Sequence, residues 1–196
     1  MTKEEKIKNE AIQASTILFQ QYGFQKTTME DIAKAMRRGK STLYYYFKSK
    51  DEIFDAVLEN EINEVFFTTR SAVEKASTAE EKLKIYFFVS LNSIKSKANL
   101  YKIMRGELTS DYSKINLRIK KFNAREIQAV KEILLLGINN NEFISSLKIE
   151  DVDLLSYSAV NASRNLSVDL IIEDKFPDWA ERLNFLINVL IQGIKV

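Results

Sequence analysis

The chain has 196 residues, of which 45% are hydrophobic and 29% charged, and it contains neither cysteine nor histidine. That length suits one compact domain, or a small domain joined to a larger one. The missing residue types exclude disulfides, Cys/His zinc sites, thiol nucleophiles and imidazole bases, while a carboxylate-only site for magnesium or calcium stays open. The net charge of +2 conceals an asymmetry: residues 1–50 carry 10 basic and 5 acidic side chains (+5), and residues 51–196 carry 19 and 22 (−3). Solvated charge can scatter unevenly, but halves of opposite sign suggest two jobs. The polar start "MTKEEKIKNE" has no apolar signal core, and no run reaches ~18 uninterrupted apolar residues, so the chain is expected to be cytoplasmic, with no membrane partner.

A first helix is expected from about Lys3 to Tyr22, because Ile7, Ala11, Ala14, Leu18 and Phe19 recur at spacings of three and four. Gly23 follows where a helix end favours a left-handed residue. Thr27 and Glu30 fit a capping box that opens a short second helix, "TMEDIAKAM", with Ile32, Ala33 and Met36 facing inward. The pattern breaks at "RRG" and resumes as a third helix, "KSTLYYYF". Leu43 and Phe47 lie four apart, share one face and anchor it. Tyr44, Tyr45 and Tyr46 spread around its circumference, so one or two of them look outward. Three helices within 50 residues, the last two joined by a tight turn, describe a helix-turn-helix.

Ser49, with Glu52, caps a fourth helix running to about Lys75. Further helical stretches begin at Ser77 or Thr78, at "NLYKIMRGEL", at "SKINLRIKKF", at "IEDVDLLSYS" and at "PDWAERLNFL", where Pro177 suits a first helical turn. No strand-like alternation competes. The fold class is all-α, about nine helices in total, divided into a three-helix helix-turn-helix domain at 1–48 and a larger helical domain at 49–196.

"LFQQYGF" and "TTMEDIAKAMRRGKSTLYYYFKSKDEIFDAVL" together resemble the N-terminal signature of the TetR family of transcriptional regulators over roughly residues 10–58. The resemblance rests on linked features: Leu-Phe then Gly-Phe, Asp-Ile-Ala, Leu-Tyr-x-Tyr-Phe, and the Ser-Lys opening the fourth helix. It implies a homodimeric regulator that binds double-stranded DNA at a palindromic operator and takes a small-molecule effector, of unknown identity, in its C-terminal domain. By position in the motif, Thr28, Lys40, Ser41, Thr42, Tyr44, Tyr45 and Lys50 are the expected DNA contacts. Lys40 and Thr42 suit base edges, whereas Thr28, Tyr44 and Lys50 suit phosphates. Where the family usually has Ala-Gly-Val-Ser, this chain has Met36, Arg37, Arg38 and Gly39. A non-glycine residue at positive φ costs ~1–2 kcal/mol, so the turn is expected either to bear that strain at Arg37 or to be rebuilt around Gly39. Arg37 and Arg38 join the DNA candidates, as phosphate contacts first and base contacts second.

The last helix is apolar over most of its circumference, with Trp179, Leu183, Leu186, Leu190 and Ile194 on one stripe, and must be buried on more than one side. Packing on its own domain and on a partner copy would supply those sides, burial at the centre of a monomer being the alternative. Leu183, Leu186 and Leu190, with the small residues Ser156, Ala159 and Ser163 of the preceding helix, are the expected dimer interface. Ligand candidates are Tyr86, Asn92, Arg105, Phe122, Tyr157, Asn161 and Arg164. The two arginines matter because a buried guanidinium requires an anionic partner, from the protein or from a ligand. No cofactor is expected, and no enzyme, since the acids are scattered along helix surfaces without a facing-carboxylate pattern. The alternative is a helical small-molecule carrier without sequence-specific DNA binding.

Overall fold

The computed structural model describes residues 2–96, 112–167, 169–170 and 178–196. Among them are eight α-helices, in the order α1 (Lys3–Tyr22), α2 (Met29–Ala35), α3 (Lys40–Tyr46), α4 (Lys50–Glu74), α5 (Ala79–Ser96), α6 (Tyr112–Asn139), α7 (Ile149–Ser167) and α8 (Trp179–Gln192). The element expected at 99–108, which contains Arg105, lies outside the described residues, as does Pro177. The chain divides into two compact units, one holding the residues up to Asn63 and the other beginning at Glu64. No described helix is long and apolar enough to cross a membrane.

In the first unit, α1 opens on a capping box in which Glu5 N–H donates to the Thr2 hydroxyl at 3.1 Å and Thr2 N–H to the Glu5 carboxylate at 2.7 Å. It ends at Gly23, whose φ of 82° suits a residue without Cβ. The box expected at Thr27 and Glu30 sits one residue later. Thr28 and Asp31 close it, at 3.2 and 3.0 Å. Thr27 is instead buried, its hydroxyl donating to Gly23 O at 2.8 Å, so it fastens the α1 end and leaves capping to its neighbour. Leu43 and Phe47 are buried as their spacing required, in a core with Ile32, Ala33, Ile53, Phe54 and Val57. Rings of Phe19, Phe24 and Phe54 meet there at centroid distances of 4.8–5.5 Å. Ser49 caps α4 through Glu52 N–H at 3.1 Å, while the Glu52 carboxylate reaches back one residue further, to Lys48 N–H.

The second unit packs Leu83, Tyr86 and Leu91 of α5 against Val130, Ile133 and Leu134 of α6, Val152 and Val160 of α7, and Leu183, Ile187 and Ile191 of α8. The asparagine-rich turn after α6 places Asn141 at φ 59°, a conformation asparagine tolerates better than most residues. Beyond it, Ile144 N–H donates to Ile194 O at 2.9 Å and Val196 N–H to Glu142 O at 3.2 Å, tying the C-terminal residues to this turn. The Glu142 carboxylate accepts the Ala79 and Glu80 N–H groups at 3.1 and 3.2 Å. A side chain distant in sequence thereby satisfies the open donors at the start of α5.

Candidate nucleic-acid interface and effector cavity

With Leu43 and Phe47 turned into the core, α3 presents its other faces. Ser41, Tyr44 and Tyr45 are exposed, Tyr45 to 73%, and Thr42 is half-buried. Tyr46 packs toward the core and meets Tyr45 edge-on at 4.9 Å. Two of the three consecutive tyrosines therefore look outward, which is where an aromatic ring with a hydroxyl tip can meet a phosphate or sugar. Thr28 is exposed at the α2 cap.

The cations of this surface are mostly engaged within the chain. The Lys40 ammonium bonds Glu30 across the α2–α3 turn and sits 5.9 Å from the Tyr44 ring centre. That bond holds the Glu30 carboxyl below, and the Lys40 ammonium above, their ordinary values. Lys48 donates to the Tyr44 and Tyr45 carbonyls, both at 3.3 Å, at the α3 C-terminus. Two expected DNA contacts are placed differently. Arg38 forks onto one Glu10 oxygen at 2.8 and 2.9 Å and so braces the turn against α1. The Lys50 ammonium turns inward to Phe24 O at 2.7 Å and lies over the Phe24 ring at 4.2 Å. Each would have to give up these partners to reach a phosphate.

Arg37 is exposed and carries the turn's left-handed conformation, with φ 54°, whereas Gly39 has an ordinary φ of −68° and caps α3 with no side-chain bond. The turn is not rebuilt around Gly39; the strain stays at Arg37. Arg37→Gly is therefore expected to raise stability by about 0.5–1 kcal/mol, the relief of ~1–2 kcal/mol less the greater unfolded-state freedom of glycine. A higher urea midpoint at unchanged slope would register it, and Arg37→Val should move the midpoint the other way.

In the second unit, a cavity of about 740 Å³ lies among α4, α5 and α6, walled by Phe66, Phe67, Val73, Ile133 and Leu136. Tyr86 lines it, and so does Glu126, whose carboxylate accepts the Tyr86 hydroxyl at 3.0 Å and the Arg164 guanidinium at 3.1 Å. Burial pushes the Glu126 carboxyl above its ordinary value, against the opposing pull of Arg164 and Tyr86. The Arg164 guanidinium also lies 5.7 Å from the Phe122 ring centre. Two expected ligand residues, Tyr86 and Arg164, thus converge on an acid that was not among them, and a third, Phe122, stands beside Arg164. Glu126 stands four residues from both Phe122 and Val130, and a charge on an apolar stripe was the available signal. The Thr69 hydroxyl, buried and without a hydrogen-bond partner among the described residues, lines the same cavity.

Asn92, Tyr157 and Asn161 are not brought to it. Val152, Ser156 and Val160 form the inward stripe of α7, so Tyr157 and Asn161, one residue further on, face away. Asn92 and Asn161 donate to the carbonyls four residues earlier, Phe88 O and Tyr157 O, at 3.0 and 2.7 Å.

The dimer candidates divide by the same periodicity. Ser156 is fully buried and donates to Val152 O, and Leu183 belongs with Ile187 and Ile191 to the inward stripe of α8, so neither is available to a partner. Leu186 and Leu190 are exposed, and with them Phe185 and Val189, at 72% and 51%. Ala159 and Ser163 line a second, apolar cavity of about 280 Å³ that Leu186 and Leu190 also border.

Residues 11–57 match the family of bacterial regulatory proteins, tetR family. Over 193 residues the chain is 25% identical to the HTH-type transcriptional regulator QacR of Staphylococcus aureus, spanning 96% of this chain and 98% of that one. A transcriptional regulator from Cytophaga hutchinsonii superposes with a TM-score of 0.77 at 26% identity, over 95% of this chain and 97% of its own. FadR from Bacillus subtilis, solved in complex with stearoyl-CoA, superposes with a TM-score of 0.70 over 94% and 98% of the two chains; at 19% identity it shares the fold.

Proposed function

We propose that this chain, which belongs to the tetR family of bacterial regulatory proteins, is a homodimeric transcriptional repressor released from a palindromic operator by a small molecule. The observation that carries the reading is α3, anchored by Leu43 and Phe47 and presenting Ser41, Tyr44 and Tyr45 outward. A helix of ~10–12 Å diameter fits a major groove ~12 Å wide. In this reading residues 1–48 bear the DNA surface and residues 49–196 the effector and dimer functions. Lys40 and Thr42 address base edges, while Thr28, Arg37, Ser41, Tyr44 and Tyr45 address the backbone. Arg38 and Lys50 position the turn and the start of α4.

The effector enters the cavity bordered by Phe66, Phe67, Thr69, Tyr86 and Glu126. Helix α4 runs through residues of both units, contributing Ile53 and Val57 to the first core and Phe66 and Val73 to the cavity wall. An effector that prefers one setting of α4 shifts the DNA-binding equilibrium by its differential affinity for the two states. A second copy packs on the α7–α8 face at Phe185, Leu186, Val189 and Leu190.

Selection of duplexes from a random pool by the purified protein tests this. A palindrome with half-site centres one helical turn apart, ~10 base pairs, is the expected product. Log affinity should fall steeply with log salt, at a slope near −0.9 per phosphate neutralised. Uniform weak binding to every duplex, which is what a helical carrier with a basic end would give, overturns the reading.

A further inference from the structure

The bond between Lys40 and Glu30 spans the helix-turn-helix on its outer side, with side-chain exposures of 50% and 60%. No core residue depends on it, and an ion pair this exposed is readily exchanged, its worth being screened by water. Its position gives it a consequence for recognition, provided α3 is the DNA-reading helix. A duplex presents a phosphate charge every ~1.7 Å of axis. When α3 approaches random sequence, Lys40 either stays with Glu30 and adds no net charge, or leaves it and strands a carboxylate beside phosphates. At a base-pair edge the exchange has a better partner, because guanine O6 and N7 accept from lysine and the cytosine amino group donates to a carboxylate.

We propose that Glu30 is a specificity-determining residue: it withholds Lys40 from the phosphates of random duplex and yields it to base acceptors at the operator. Arg38 behaves differently, since its Glu10 partner lies on α1 and both are about two-thirds buried. Among the described cations bonded to a carboxylate in the first unit, Lys40 alone opens α3.

The test uses the full chain carrying Glu30→Gln, with thermal melting to establish that it is folded, and measures affinity for random duplex and for the selected operator between 50 and 200 mM salt. Random-duplex binding should tighten by about threefold to fivefold, with a salt slope steeper by ~0.9. Operator binding should tighten less, so the ratio of the two falls. In a Lys40→Ala background the same substitution should change random-duplex binding less than about twofold, because the effect runs through the lysine. The proposal is overturned by random-duplex affinity that does not rise, by equal gains on operator and random duplex, or by a gain that persists without Lys40. A wild-type protein that selects no operator overturns the regulator reading itself, whatever Glu30 does to binding of random duplex.

Discussion

Phe185→Glu combined with Leu190→Glu is expected to give a folded monomer whose operator binding is weaker by about a hundredfold or more. Both side chains stand in solvent in the single chain, at 72% and 61% exposure, so their replacement by carboxylates leaves the α8 core stripe untouched. In a two-fold dimer each substituted position meets the same surface of the partner, and four new carboxylates would be desolvated together. Losing the dimer removes the second half-site from the local concentration of the first, and linked binding of this kind is worth ~10²–10⁴ in affinity. Sedimentation should report a monomer of half the wild-type mass, circular dichroism an unchanged helix content, and the binding assay the loss. Leu183→Glu is the contrasting variant. Its charge enters the core beside Ile187 and Ile191 and should unfold the second unit rather than dissociate it. A doubly substituted protein that sediments as a dimer rules out this face as the interface.

The contrast between Leu183 and Leu190 also shows where the sequence stops being informative. Periodicity places Leu43 and Phe47 on one face because they are the only side chains of the stretch 40–48 without a polar atom, and both are buried. In α8 nine of the 14 positions are apolar, so one helical wheel admits several inward stripes. The expected one joined Leu183 to Leu186 and Leu190, whereas the buried one is Leu183, Ile187 and Ile191. The Arg37 turn was legible as an anomaly but not as an outcome, since φ at one residue depends on how α2 and α3 are held by the core on either side. Ion pairs between elements were not legible. Nothing local joins Glu30 to Lys40, Glu10 to Arg38 or Glu126 to Arg164, because each depends on which helix faces meet. Local chemistry did give the helix starts at Ser49 and, displaced by one residue, at Thr28.

Gly137→Ala is expected to destabilise the second unit by about 3 kcal/mol or more, against the ~1 kcal/mol that helix propensity alone would add in favour of alanine. A Cβ at this α6 position would lie 2.1 and 2.3 Å from two carbons of the Phe143 ring and 2.9 Å from the Ala79 Cβ. Overlap that deep demands movement, and the ring has little freedom to move. Phe143 is 1% exposed, its N–H donates to Gly137 O at 3.1 Å, and residues 142 and 144 on either side are bonded to the last residues of the chain. Ala79 is held in turn, because the Glu142 carboxylate accepts its N–H. The strain should spread to the start of α5, where the cap and the clash share a residue. Urea unfolding should show a lower midpoint, and Gly137→Ala with Phe143→Leu should recover a substantial part of the loss, although Phe143→Leu alone is destabilising. Two harmful substitutions that partly cancel are the signature of direct steric coupling. A single Gly137→Ala variant that unfolds at higher urea would mean that the ring yields easily, and that the packing of the α6 end against Phe143 is not what fixes the turn.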